Sequence, residues 1–224
     1  LHIQFVEVSN FRKLLAVRID ISEEKTLFVG ANNSGKTSAM LALRRFLTPR
    51  RCPFELFDFT LSHWAPINAI GEAWLKAKAA GETLELTLEP WLDLLPALDL
   101  WLHVEPGELH HVRDIIPTLD WAGGRIGVRL RFQPTDLQKL FRDYGQAADA
   151  AEELRKAAQA ETGDEGPDGG ADEKAVAFTV WPTNLSDFLS RQLNSYFAIR
   201  TFILDPARLT DPVQSQASAL IYLT

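Results

Sequence analysis

The sequence predicts an α/β domain, and three observations predict it. Short apolar strands alternate with helical stretches along the chain. A strand, a Gly/Asn-rich loop and a helix follow one another near the start, over 26–47. Further on, RIGVRLRF (125–132) alternates strictly, with Ile126, Val128, Leu130 and Phe132 on one face and Arg125, Gly127, Arg129 and Arg131 on the other, the period of a strand. At 224 residues the chain fits one domain over 1–224, large enough to bury a core without a disulfide or a metal.

The elements follow in order. HIQFVEV (2–8) and LAVRIDI (15–21) read as strands, and the second alternates Val17, Ile19 and Ile21 with Ala16, Arg18 and Asp20. TLFV (26–29) is continuously apolar, as in a strand covered on both faces. The loop 30–37 precedes a helix over 37–47 with Met40, Leu43 and Leu47 on one face, and Thr48-Pro49 ends it. From Cys52 to Pro66 the chain is aromatic-rich and irregular. A helix is predicted over 67–80, strands over 83–88 and 98–104, and a helix over 109–116 stopped by Pro117. One or two helices cover 136–160, with an Ala-rich second half. ETGDEGPDGGADE (161–173) is acidic, Gly-rich and without a large apolar residue, which predicts a flexible linker or loop. A helix over 186–196 and a strand over 198–204 complete the pattern.

Composition narrows the function classes. Net charge is −7, which argues against non-specific coating of nucleic acid, although the first sixty residues carry more basic than acidic side chains. No apolar run approaches the length of a membrane span, and no basic-then-apolar leader opens the chain, so neither a membrane protein nor a membrane partner is expected. The single cysteine, Cys52, has no internal partner and points to a cytoplasmic protein.

The chemistry lies in GANNSGKT (30–37), which fits G-x-x-x-x-G-K-[ST], the P-loop. Gly30 and Gly35 let the backbone wrap closely around phosphate, and Asn32, Asn33, Ser34 and Ser38 contribute N–H groups around it. Lys36 sets a cation against the β- and γ-phosphates, and Thr37 offers a hydroxyl to Mg²⁺. The helix that follows aims its positive end at the anion. ATP and Mg²⁺ are therefore the expected cofactors. An N-K-x-D guanine reader is missing, which argues against a GTPase, while a small-molecule kinase has no fixed lid signature to search for.

The flanks are more specific. VSNFRKLLAVRIDI, followed by TLFVGANNSGKTSAMLAL, resembles the N-terminal lobe of SMC, Rad50 and RecF-type ABC ATPases, and more closely that of the OLD (overcoming lysogenization defect) family. The likeness is strong over about 1–48 and weaker in FDFTLSHW, GVRLRF and FILDPARL. It implies an α/β P-loop NTPase lobe with a mixed β-sheet flanked by helices, in which Asn10 and Arg12 lie beside the phosphates. Gln133, ending a strand, would be the Q-loop glutamine that senses Mg²⁺ and the γ-phosphate; a surface glutamine before Pro134 fits the sequence equally. The resemblance also implies a homodimer sandwiching ATP, DNA as the partner of the full-length protein, a helicase partner in some members, and ATP-dependent DNA cleavage in phage defence or repair.

The departures are equally specific. No Asp-Glu Walker B strand, signature loop or Toprim acid pattern is found, and FILD (202–205) is followed by Pro206 where a glutamate is needed. The segment is thus read as stopping before its Walker B half, with no catalytic residue of its own and no hydrolysis expected from it alone. A nucleotide-regulated, non-enzymatic interaction module and a stand-alone P-loop phosphotransferase are the alternatives.

Other groups are weaker. Arg125, Arg129 and Arg131 fit either contact with DNA phosphates or, preferably, the solvated face of an edge strand. His103, His110 and His111, near Glu105 and Glu108, lack metal-ligand spacing. Trp64 and Trp74 fit core packing or stacking on a base, and nothing in their spacing favours stacking.

Overall fold

The computed structural model describes residues 1–116, 120–162, 180–204 and 221–222. Strands β1 (His2–Phe11), β2 (Leu14–Asp20), β3 (Ala97–Val104), β4 (Gly124–Pro134), β5 (Phe197–Leu204) and β6 (Ile221–Tyr222) form one sheet in the order β2-β1-β3-β4-β5-β6. Helices α1 (Lys36–Leu47), α2 (Trp64–Ala80), α3 (Leu137–Thr162) and α4 (Leu185–Tyr196) complete an α/β domain. No described helix is long and apolar enough to cross a membrane.

Alternation in the strands decides which face is covered. Val6 and Val8 of β1, Leu98 of β3 and Phe132 of β4 join one apolar core with Ala42 and Phe46 of α1, Ile67 and Trp74 of α2, Leu140 of α3 and Leu185, Phe188 and Leu189 of α4. The irregular aromatic stretch plugs this core. Phe54 stacks on Phe132 with ring centres 4.0 Å apart, and Phe59 meets Phe197 edge-on at 5.9 Å. Trp74 is buried against Trp91 and Phe141, which settles it as a core residue, while Trp64 is half-buried against Phe57.

Several sequence expectations are corrected. Every strand pair is antiparallel, so the sheet is not mixed among the described residues. Residues 26–29 form no strand, and Leu27 and Val29 are 71% and 90% exposed. An apolar run reports side chains suited to burial, but a strand also needs a neighbouring backbone, and no described segment pairs with this one. Residues 83–88 are likewise not a strand. The helix expected over 109–116 is two 3₁₀ turns, Pro106–His111 and Arg113–Ile115. In α1 the core stripe is Ala39, Ala42 and Phe46, while Met40 and Leu47 are about half exposed, because the alanines let the helix lie close to the sheet. Residues 136–160 belong to the single helix α3, whose last residues, Glu161 and Thr162, open the expected linker; 163–173, and Asp205 and Pro206, lie outside the described residues.

The basic face of β4 is the largest revision. This strand is central, with β3 on one side and β5 on the other, so it has no solvated edge. Arg129 and Arg131 are buried, and Arg129 donates to both carboxylate oxygens of Asp99, directly opposite on β3, at 2.6 Å each. Only Arg125, at the start of the strand, is exposed, and it reaches Gln4.

Candidate functional site

The β1–β2 hairpin and the start of α1 together build the site. Phe11 pairs with Leu14, so Arg12 and Lys13 alone turn the chain, and Asn10 and Arg12 take left-handed backbone angles. The segment after α1 clamps this turn from outside. The Arg12 amide donates to the Asp58 carbonyl at 2.8 Å, the Arg12 side chain donates to the Asp58 carboxylate at 3.0 Å, and Phe11 bridges to Phe59. Asp58 is fully buried and also pairs at 2.8 Å with Arg45 of α1, itself buried, whose other partners are Glu55 at 2.9 Å and the Pro53 carbonyl. The Asn10 amide donates to the carbonyls of Asp93 and Leu95, 2.9 and 3.3 Å away. The structure therefore gives Asn10 and Arg12 partners within the fold.

The opposite side of the turn meets the P-loop. Gly35 holds φ of +99° and caps α1, a conformation that a side chain would strain. A Cβ there would also lie 3.0 Å from Leu14 Cδ2 and 3.7 Å from Lys13 Cε, so its missing side chain lets the hairpin pack against the loop. Because α1 begins at Lys36, the amides of its first turn have no carbonyl within the helix to bond, and they carry its positive dipole end.

Lys13 and residues 32–38 line a cavity of about 320 Å³. Lys36 Nζ donates to the carbonyls of Gly30 and Ala31, at 2.5 and 2.6 Å, and to Ser34 Oγ at 3.3 Å. Lys13 Nζ donates to the Asn33 carbonyl and, at 2.5 Å, to Asn33 Oδ1. Two ammonium groups thus rest on one loop, and no carboxylate lines the cavity among the described residues. The donors suit a polyanion: two cations, helix-end amides and the hydroxyl of exposed Thr37, which the sequence assigns to Mg²⁺; Gln133, the other residue given a Mg²⁺ role, does not line the cavity.

Of the residues expected at the site, Asn32, Asn33, Ser34, Gly35, Lys36, Thr37 and Ser38 line this cavity, with Gly30 bonded to Lys36. Asn10, Arg12 and Gln133 do not line it; Gln133 Oε1 accepts from Arg131 Nε at 2.8 Å. Lys13 was not singled out by its sequence position. The signal available was its place next to Arg12 in a two-residue turn, where successive side chains diverge. His103, His110 and His111 form no three-ligand group, and no such group exists among the described residues.

A charged row crosses the face of the sheet opposite the one that carries Val6, Val8 and Leu98 into the core. Arg18, Glu7, Asp99 and Arg129 occupy successive register positions on β2, β1, β3 and β4. Burial pushes the Glu7 carboxyl up to about 7, against the opposing pull of the Trp101 indole N–H that it accepts at 3.1 Å. Its other oxygen is buried without a hydrogen-bond partner among the described residues. Arg131, buried beside Arg129, is lowered to about 10, chiefly by desolvation. Burial opposes the charge on Arg129 too, but its bonds to Asp99 outweigh that and hold it firmly protonated.

Residues 2–104 match the family described as AAA ATPase domain, a stretch running from β1 through the P-loop to the end of β3. The match supports a P-loop ATPase-like domain that binds nucleotide, a coarser assignment than the OLD family. No curated protein and no solved structure matches the chain.

Proposed function

We propose that the chain is the ATP-binding lobe of an OLD-like ATPase, in which bound nucleotide gates DNA binding or ATP-dependent DNA cleavage carried out by the full-length protein. The supporting observation is the cavity at the start of α1, where Lys36 and the first-turn amides converge on a polyphosphate-sized space within the stretch that matches an ATPase domain. Lys36 would exchange its loop carbonyls for the β- and γ-phosphates, Gly35 and its neighbours would donate backbone N–H groups, and Thr37 would offer its hydroxyl to Mg²⁺. Mg²⁺, when bound there, would supply charge neutralisation to the terminal phosphates. Two lobes facing each other across ATP would make nucleotide a clamp, with DNA, and in some settings a helicase, as partner in defence against phage or in repair.

The experiment is binding of MgATP to the chain, followed by binding of duplex DNA to the full-length protein with and without ATP. The reading expects saturable ATP binding lost in Lys36→Ala and DNA affinity that changes with ATP. ATP affinity equal in wild type and Lys36→Ala overturns the nucleotide site. DNA binding indifferent to ATP overturns the gating.

A further inference from the structure

The turn between β1 and β2 delivers two cations to different partners, Arg12 to Asp58 and Lys13 to Asn33. Arg12 is held by buried Asp58, whose carbonyl and carboxylate accept from its amide and guanidinium. Lys13 is thereby presented to the P-loop, where it lines the same cavity as Lys36. We propose that Lys13 is a second phosphate-binding cation of this site, taking the polyphosphate of a nucleoside triphosphate together with Lys36. The inference rests on the nucleotide reading above and adds to it a residue outside the P-loop.

Three observations carry it. Lys13 is exposed, and its ammonium bonds to Asn33, inside the loop that would wrap the ligand. Its partners there are a neutral carbonyl and a neutral amide oxygen, so a phosphate oxygen, carrying a formal charge, is a stronger acceptor for it. The close fit of Leu14 and Lys13 against Gly35 also places the lysine stem beside the first residue of the anion-binding helix end. A triphosphate brings more negative charge than Lys36 alone balances, and no other cationic side chain lines the cavity among the described residues.

The test is titration of a fluorescent ATP analogue, and its displacement by inorganic pyrophosphate, in wild type, Lys13→Ala, Lys13→Arg and Lys36→Ala at two salt concentrations. Lys13→Ala is expected to weaken both ligands about tenfold, to make binding less sensitive to salt, and to leave the melting temperature without ligand unchanged. Lys13→Arg is expected to recover most of the affinity. Unchanged affinity in Lys13→Ala, with Lys36→Ala impaired, overturns the inference and leaves the nucleotide site standing. Tighter binding in Lys13→Ala also overturns it, since it would make Lys13 a latch on Asn33 that ligand must break. No effect of Lys36→Ala overturns the nucleotide reading and this inference together.

Discussion

Single side chains of like type have opposite roles in this molecule, decided by what lies within a few ångströms. Lys36 touches only neutral loop acceptors. Its truncation should therefore cost binding rather than folding: Lys36→Ala is expected to weaken ATP by about 2 kcal/mol, the loss of a hydrogen bond from a charged donor, with little change in melting temperature. Calorimetric titration and a thermal melt check both halves. Glu7 acts on the fold instead. Its folded carboxyl titrates near 7, above the ordinary value of 4.5, so between those limits the folded state holds a proton that the unfolded chain has released. Stability contributed by the neutral form is whole below about pH 4.5 and is lost as pH rises towards and through 7. The loss is at most about 3 kcal/mol, a value that already includes the pull of Arg18 and Arg129 on the carboxylate. Glu7→Gln keeps the group neutral. Chemical denaturation at pH 5 and pH 8 should show a smaller drop in the variant than in wild type; equal drops would locate the pH dependence elsewhere.

Among elements, the contact most exposed to damage is the clamp between the hairpin turn, α1 and the loop that carries Asp58. Asp58 satisfies a buried Arg45 and positions Arg12 at once. Asp58→Asn should lower stability by about 3 kcal/mol, because it removes the buried carboxylate paired with a buried guanidinium and leaves that charge only the Pro53 carbonyl and the exposed Glu55. It should also loosen the turn that presents Lys13, so ATP affinity falls in the variant even where it is fully folded; urea denaturation and ATP titration measure the two effects separately. The helices meet at a second narrow point. A Cβ on Gly71 of α2 would lie 2.6 Å from Leu185 Cβ of α4 and 3.2 Å from Tyr144 of α3. Gly71→Ala therefore costs about 2 kcal/mol through overpacking, although alanine is the better helix former. A more stable Gly71→Ala protein would show that the helices separate freely there. β4 shows what element context does to a pattern. Its alternation is visible in the sequence, and so is that of β3, but their register, which sets Asp99 opposite Arg129, is a property of the paired strands. Two polar faces that each look solvated become a buried ion pair once joined.

At the scale of the whole molecule, the cavity presents donors suited to a polyphosphate and, among the described residues, no carboxylate to help cleave it. Phosphoryl transfer to water needs a positioned metal, an oriented water and charge stabilisation at the γ-phosphate. The cavity presents cations, amides and hydroxyls but no carboxylate among the described residues. Each missing positioning or electrostatic group typically slows such a reaction about a hundredfold or more. Phosphate release by the 224-residue chain is thus expected to stay near background in a coupled assay, at concentrations that saturate ATP binding. Robust release abolished by Lys36→Ala would show that an acid elsewhere in the chain reaches the site.

The P-loop was legible in the sequence because its chemistry is local: glycines, lysine and threonine at set spacing act through one loop and one helix end, and the structure gathers those residues around one cavity. Most strands and helices were legible for the same reason, since periodicity is a property of neighbours along the chain. What only the tertiary structure decided concerns partners distant in sequence. The contacts that hold Arg12 at the hairpin turn come from Asp58, more than forty residues away, and Arg129 of β4 is paired by Asp99, thirty residues before it. The apolar run at 26–29 needs a neighbouring backbone to become a strand, and among the described residues it has none. A charge or an apolar side chain states what it could bond or bury; which long-range partner arrives is settled by the packing of the whole chain.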